Sequence, residues 1–174
     1  ALGQVLTAKQ LGIQLNNALQ QHPALTLLTP LQVVSIEQTA SMAAVHLSNG
    51  QSLTAKLLVA ADGQASTVRK LLGLSVRQRE YQQTAITANV ITERPHQNWA
   101  YERFTQNGPI ALLPMSEGRS SLVWTVKSGD EDNLLACDEL SFMHQLQQAF
   151  GYRLGHFEKI GQRNSYALGL MQTL

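Results

Sequence analysis

The run Leu57-Leu58-Val59-Ala60-Ala61, followed at once by Asp62-Gly63, constrains this fold more than any other stretch. Five consecutive apolar residues without alternation read as a strand covered on both faces, as in an α/β sheet. The run ends in a tight polar turn, and Ser66 to Leu72 then reads as a short helix that Gly73 stops. A buried strand, a turn and a helix N-terminus in succession form an arrangement that presents ligands in α/β proteins. Asp62 at the strand tip is able to accept hydrogen bonds from a sugar hydroxyl, and Gly63 lets a ligand come close to the backbone. Ser66 is placed to cap the helix, whose N-terminal N–H groups suit a phosphate, and Arg69 adds a cation one turn in. The same string also reads as an ordinary strand-to-helix turn with an Asx-type cap, and the eight residues alone leave both readings open.

Upstream, Thr7-Ala8-Lys9-Gln10 has capping-box spacing, and Leu11, Leu15, Ala18 and Leu19 recur on one helical face. His22-Pro23 ends that helix, because a residue before proline is pushed out of the helical region. Leu25 to Lys56 reads as short strands, with Asn49-Gly50 as the hairpin turn between two alternating runs. From Tyr81 onward the texture is antiparallel: Thr84 to Ile91, Trp99 to Phe104, Pro109 to Pro114 and Ser120 to Val126 are strand candidates. Asn107-Gly108 and Glu117-Gly118 serve as turns among them. Gly129 to Asn133 reads as an acidic loop. A second amphipathic helix follows, with Phe142, Leu146, Ala149 and Phe150 on one face and Gly151 at its end. The expected fold class is mixed α/β, with a small parallel portion at Leu57 to Ala61 and a large antiparallel sheet after Tyr81.

Composition narrows the function classes. The 174 residues are 44% hydrophobic with a formal charge of +1, which excludes a disordered chain and leaves no basic stripe for nucleic acid. A single Cys137 rules out an internal disulfide and a multi-cysteine metal site, and it suits a reducing cytoplasm. The five histidines, His22, His46, His96, His144 and His156, lack metal-ligand spacing and read as surface or packing residues. Asp130, Glu131 and Asp132 lack the glycine and terminal glutamate of a calcium loop. No apolar run is long enough to span a bilayer, so any membrane contact is expected to be peripheral, at the inner membrane. The chain opens at Ala1 without a methionine and stops at Leu174 just behind the apolar run Tyr166 to Leu170, and both ends read as cuts.

Hydrophobic strand, Asp62-Gly63, two residues, Ser66, two residues, Arg69 resembles the DG motif of the para-hydroxybenzoate-hydroxylase class of flavoprotein monooxygenases. Tyr101-Glu102-Arg103-Phe104-Thr105, Gly108 to Met115, Ser121-Leu122-Val123-Trp124, Ala149 to Gly155 and the opening Ala1 to Val5 are similar to hydroxylases of ubiquinone biosynthesis that act on 2-octaprenyl-6-methoxyphenol. The resemblance covers nearly the whole chain. It implies residues 1–80 as part of an FAD-binding domain and 81–174 as part of a substrate-binding domain of a para-hydroxybenzoate-hydroxylase-like FAD/NAD(P)-binding fold. It implies FAD as cofactor and NAD(P)H as co-substrate, for insertion of one oxygen atom from O2 into a prenylated phenol. Asp62, Gly63, Ser66 and Arg69 become flavin or nicotinamide contacts, and Tyr101, Arg103 and Leu113 candidates for touching substrate. A ubiquinone-biosynthesis protein complex is an implied partner.

The family's Gly-x-Gly-x-x-Gly and late Gly-Asp motifs are absent from this sequence. FAD is therefore expected to be missing from this portion by itself, and the portion is expected to be inactive. No residue is singled out as catalytic. A sibling hydroxylase of another ring position, or a non-catalytic module for a hydrophobic ligand or partner, remains an alternative reading.

Overall fold

The computed structural model describes residues 3–173, and the readings that rest on Ala1, Leu2 and Leu174 lie outside them. Two compact units are present, one formed mainly by Leu11–Arg79 and the other mainly by Glu80–Leu170.

Helix α1 spans Ala8–Gln21. Its capping box forms as spaced: the Thr7 hydroxyl accepts the Gln10 N–H at 3.1 Å and donates to Gln10 Oε1 at 2.9 Å. Its apolar face is less enclosed than the periodicity predicts, since no residue of the helix is buried. Strands β1 (Val33–Gln38), β2 (Ala43–Leu47) and β3 (Ser52–Ala55) form a small antiparallel meander in the order β1-β2-β3. Asn49-Gly50 makes its hairpin turn, with Gly50 at φ +85° where a side chain is disfavoured. The central strand buries Ala43, Val45 and Leu47, and these alternate as period two requires.

The expected buried strand at Leu57 to Ala61 does not form. The segment belongs to no strand or helix, and Leu57 and Val59 are 76% and 73% exposed. A strand exists only by pairing, and no neighbour pairs with this run among the described residues, so an apolar sequence without alternation is left solvent-facing. Only Leu58 is half-buried; it lines a pocket of about 230 Å³ with Ile36, Val68 and Leu72. Helix α2 then runs Thr67–Leu71, and Gly73, at φ +65°, follows its C-cap Leu72.

The second unit is built on a sheet ordered β5-β6-β7-β4-β8, from β4 (Val76–Thr92), β5 (Tyr101–Thr105), β6 (Gly108–Pro114), β7 (Arg119–Lys127) and β8 (Phe157–Ile160). The pairings β5–β6, β6–β7, β7–β4 and β4–β8 are all antiparallel. Helices α3 (Asp130–Ala136) and α4 (Glu139–Phe150) cover one face. The core lies there: Ile86, Ile110, Leu112 and Leu122 from the sheet pack with Leu134, Phe142 and Leu146 from the helices, and Trp124 meets Phe142 edge to face at 5.5 Å.

The expected acidic loop at Gly129 to Asn133 is instead the first turn of α3. Acidic side chains complement the positive end of a helix, and Glu131 adds specific bonds. Its carboxylate accepts the Gly129 N–H at 2.6 Å and the Thr84 hydroxyl at 3.0 Å. Strand β9 (Asn164–Thr173) pairs with β4 but buries none of its described side chains, so Tyr166 to Leu170 is not the core strand its composition predicts.

Candidate functional site

The turn from Asp62 to Arg69 is organised from within. The Ser66 hydroxyl donates to Asp62 Oδ1 at 2.5 Å and accepts the Arg69 N–H at 3.0 Å, so Ser66 is the helix N-cap that the sequence predicts. Asp62 Oδ2 accepts the Val68 N–H at 3.1 Å. The Ser66 hydroxyl, and next the Val68 N–H, hold the Asp62 carboxyl below its ordinary range against a lesser, opposing effect of desolvation. Asp62 is thus an anion at neutral pH whose two oxygens each take one internal bond and each keep a lone pair for another donor.

Gly63 sits at φ +79°, and a Cβ there would meet no atom within 4 Å. The backbone is open to a ligand at this point, and the conformation explains why the residue is glycine. Arg69 Nη2 donates to the Gln64 carbonyl at 2.6 Å, which ties the guanidinium to the turn and leaves its other N–H groups as donors. All four predicted contact residues therefore meet on one turn. The cap reading holds, and the internal bonds fix an acceptor, an accessible backbone and a cation in one place. That donor set fits a sugar hydroxyl beside a phosphate, the chemistry of a dinucleotide such as FAD.

The three substrate candidates separate. Register puts Tyr101 opposite Leu112 and Arg103 opposite Ile110, on the helix-covered face. The Arg103 guanidinium donates to the Phe150 carbonyl at 2.7 Å, satisfying the last turn of α4, and Arg153 stacks over the Tyr101 ring at 5.5 Å. The first contact holds α4 to the sheet and the second holds the turn beyond it. Arg103 also borders an open cleft of about 680 Å³ lined by polar side chains such as Asn133 and Gln145 and by apolar ones such as Phe104 and Trp124. Leu113 lies on the opposite face, in a row with Ser121 and Asn89, next to the row Ala111–Val123–Thr87.

That face was missed from sequence as a unit, because alternation defines two faces and only the register with the helices says which is covered. Its residues are small or apolar for the most part, and Leu113, Ala111, Val123, Thr87 and Ser121 are half-buried. Trp99 and Phe104 are exposed, Phe104 by 79%. The histidines gather no metal site among the described residues. His96 is buried, with its ring nitrogens 3.1 Å from the Met115 carbonyl and 3.0 Å from the Asn98 N–H, as a packing histidine should be. Cys137 lies beside Arg163, whose guanidinium donates to the Leu134 and Cys137 carbonyls at 2.9 and 2.8 Å.

A family model described as the FAD binding domain matches residues 5–161. The chain belongs to the FAD binding domain family. Ubiquinone hydroxylase UbiL of Rhodospirillum rubrum is 42% identical over 148 residues, covering 85% of this chain and 34% of that protein. The mitochondrial ubiquinone biosynthesis monooxygenase COQ6 of Homo sapiens is 35% identical over 132 residues, covering 74% of this chain and 28% of that one. Among solved structures, the flavin-dependent monooxygenase PieE, in complex with FAD and substrate, superposes with a TM-score of 0.69 at 15% identity, over 97% of this chain and 31% of its own. At that identity the likeness shows the fold: a mixed α/β flavoprotein architecture with a large antiparallel sheet. The chain spans about a third of the length of the curated relatives it matches. No helix among the described residues is long and apolar enough to cross a membrane.

Proposed function

We propose that the protein carrying this chain is an FAD-dependent monooxygenase that hydroxylates a prenylated phenol in ubiquinone biosynthesis, with NAD(P)H and O2 as co-substrates. The observation that carries the reading is the 42% identity to a ubiquinone hydroxylase across 85% of the chain. The geometry supports it. Ser66 holds the Asp62 carboxylate in place; Asp62 would accept a ribose hydroxyl, Gly63 would admit the cofactor to the backbone, and Arg69, tied to the turn, would supply a cation for a phosphate. When bound, FAD supplies the oxygen activation that no side chain provides. The chain's own residues bind and orient: the sheet face bearing Leu113, Ala111 and Val123 is the platform for the ring, and its apolar residues help keep water from it. Tyr101 and Arg103 act from the other face as supports of that platform.

The prenyl tail requires the protein to meet a bilayer peripherally on its cytoplasmic side, or to meet a partner of the same pathway that delivers lipid. Flavin content and phenol-stimulated NAD(P)H oxidation of the full-length protein test this reading. Retained FAD with oxidation accelerated by a prenylated phenol supports it; a flavin-free protein, or oxidation indifferent to the phenol, refutes it. Replacing Asp62 by Ala is expected to lower flavin retention or NAD(P)H use.

A further inference from the structure

Between the edge strand β5 and the end of α4 lies a second cleft, of about 260 Å³, that the proposed reaction does not enter. Tyr101, Phe150, Gly151 and Tyr152 line it together with two arginines, Arg103 and Arg153. Neutral groups hold both cations in place. Arg103 donates to the Phe150 carbonyl at 2.7 Å and packs so closely on Gly151 that a Cβ there would meet its guanidinium at 2.6 Å. Arg153 lies over the Tyr101 ring at 5.5 Å. Glu102 also borders the cleft, but register sets it opposite Ala111, on the other face of the sheet. The ion pairs among the described residues are His46–Glu37 and Arg119–Glu117, so no carboxylate neutralises either cation of the cleft. A guanidinium carries five N–H donors, and the one bond to Phe150 leaves most of those at this cleft for an incoming acceptor.

The surroundings of the cleft say which anion it suits. Trp99, Phe104 and Tyr152 are 66%, 79% and 61% exposed. Trp99 precedes Tyr101 by two residues and Phe104 follows Arg103, so each stands within about 7 Å of chain from a residue of the cleft. Aromatic rings beside arginines are the side chains that settle at the headgroup level of a bilayer, and a guanidinium grips a phosphate with two parallel bonds. The cleft is smaller than the roughly 300–1,000 Å³ that encloses a drug-sized ligand, which fits a headgroup better than a whole molecule. Its position fits as well. β5 is the end strand of its sheet, and its one neighbour, β6, carries Ala111 and Leu113 of the platform. A prenylated ring leaving lipid at the β5 edge would have a single strand to cross. We propose that the β5 edge is the surface by which the protein meets a bilayer. Arg103 and Arg153 take the phosphate of an anionic lipid headgroup in the cleft, while Trp99, Phe104 and Tyr152 enter the interface around it. This inference rests on the function proposed above, which draws its substrate from lipid, and it names the surface that does so.

The experiment is cosedimentation of the full-length flavin-loaded protein with vesicles of phosphatidylcholine, with and without phosphatidylglycerol. Wild type is expected to bind the anionic vesicles at least about tenfold more tightly, since each arginine at an anionic surface is worth about fivefold. Arg153→Gln should lose about fivefold on anionic vesicles and stay within about twofold on neutral ones, and Arg153→Lys, which returns the charge, should recover most of the loss. Phe104→Ser, at an exposed position that the fold does not need, should weaken both kinds of vesicle by about threefold or more. Inorganic phosphate and polyglutamate are offered to the same protein as competing anions. Binding without an anionic preference, or a preference that Arg153→Gln and Phe104→Ser both leave intact, overturns the inference. So does a protein that takes phosphate or polyglutamate and binds no vesicle. Oxidation of NAD(P)H with a water-soluble short-chain 2-prenylphenol, measured without vesicles, reads the proposed function separately: stimulation there with no vesicle binding sinks the docking surface alone, and no stimulation sinks the function on which it rests.

Discussion

Gln147 offers the sharpest test of how the second unit is held together. It is a polar residue only 5% exposed in the middle of α4, and all of its hydrogen-bonding groups are used. Its Nε2 donates to the Gly151 carbonyl at 2.8 Å and to the Gly155 carbonyl at 3.2 Å, while its Oε1 accepts the Phe157 N–H at 3.0 Å. One side chain thus fastens the end of α4, the turn beyond it and the first residue of β8. Replacing it with Leu keeps the volume and removes all three bonds. The buried Phe157 N–H then loses its side-chain acceptor, for which about 1–3 kcal/mol is expected, and the two carbonyls add about 0.5–1 kcal/mol each. The sum is roughly 2–5 kcal/mol, a severe loss for a domain whose total stability is of order 10 kcal/mol. Urea unfolding of Gln147→Leu beside Gln148→Leu, an exposed neighbour on the same helix, isolates the effect. The neighbour should change by less than about 0.5 kcal/mol. A Gln147→Leu value equally small would refute the claim that this side chain organises the α4–β8 connection.

Three further outcomes follow. Asp62, Glu131 and Asp138 all have carboxyls held below their ordinary values, Asp62 foremost by the Ser66 hydroxyl and Asp138 by the Ser141 N–H. A lowered folded-state value means that their contribution is complete above the ordinary carboxylate range and is lost as pH falls through the lowered values. Amide-exchange protection factors followed through an acid titration should therefore show Val68 and Ser141 opening below about pH 4, with unchanged protection from pH 5 to 8. Gly63→Ala should destabilise the turn by about 1 kcal/mol through backbone conformation alone, since its Cβ has open space; thermal melts check the size. Phe142→Ala empties a fully buried position between α4 and the sheet and should cost about 3–5 kcal/mol by denaturant unfolding.

The local devices were legible in sequence because each is made by residues a few positions apart. The capping box at Thr7, the Asn49-Gly50 turn, the Ser66 cap and the stop at Gly151 are written in adjacent side chains and appear where the spacing puts them. Elements that depend on distant partners were not legible. Leu57 to Ala61 has the composition of a buried strand, but burial requires neighbours to pair with, and none pairs with it among the described residues. Asp130 to Asn133 looked like a loop because three acids crowd together, yet a helix N-terminus and the Thr84 hydroxyl, 47 positions away in sequence, turn that crowding into a favourable first turn. The candidate site divides in the same way. The Asp62 to Arg69 turn is contiguous, and its internal bonds form where the spacing puts them; the sheet faces were not legible, because Tyr101, Arg103 and Leu113 differ in strand parity and register alone separates one face from the other.

The central claim, that this chain belongs to an enzyme inserting oxygen into a prenylated phenol, is tested most directly by isotope labelling. The full-length protein, with FAD and NAD(P)H, is given a 2-prenylphenol under isotopically labelled oxygen gas, and the product is analysed by mass spectrometry. The account predicts a ring-hydroxylated product carrying one labelled oxygen atom, formed only when both the nicotinamide and the flavin are present. Hydroxylation with oxygen from water, or consumption of NAD(P)H and O2 with no oxygen entering the ring, would contradict it.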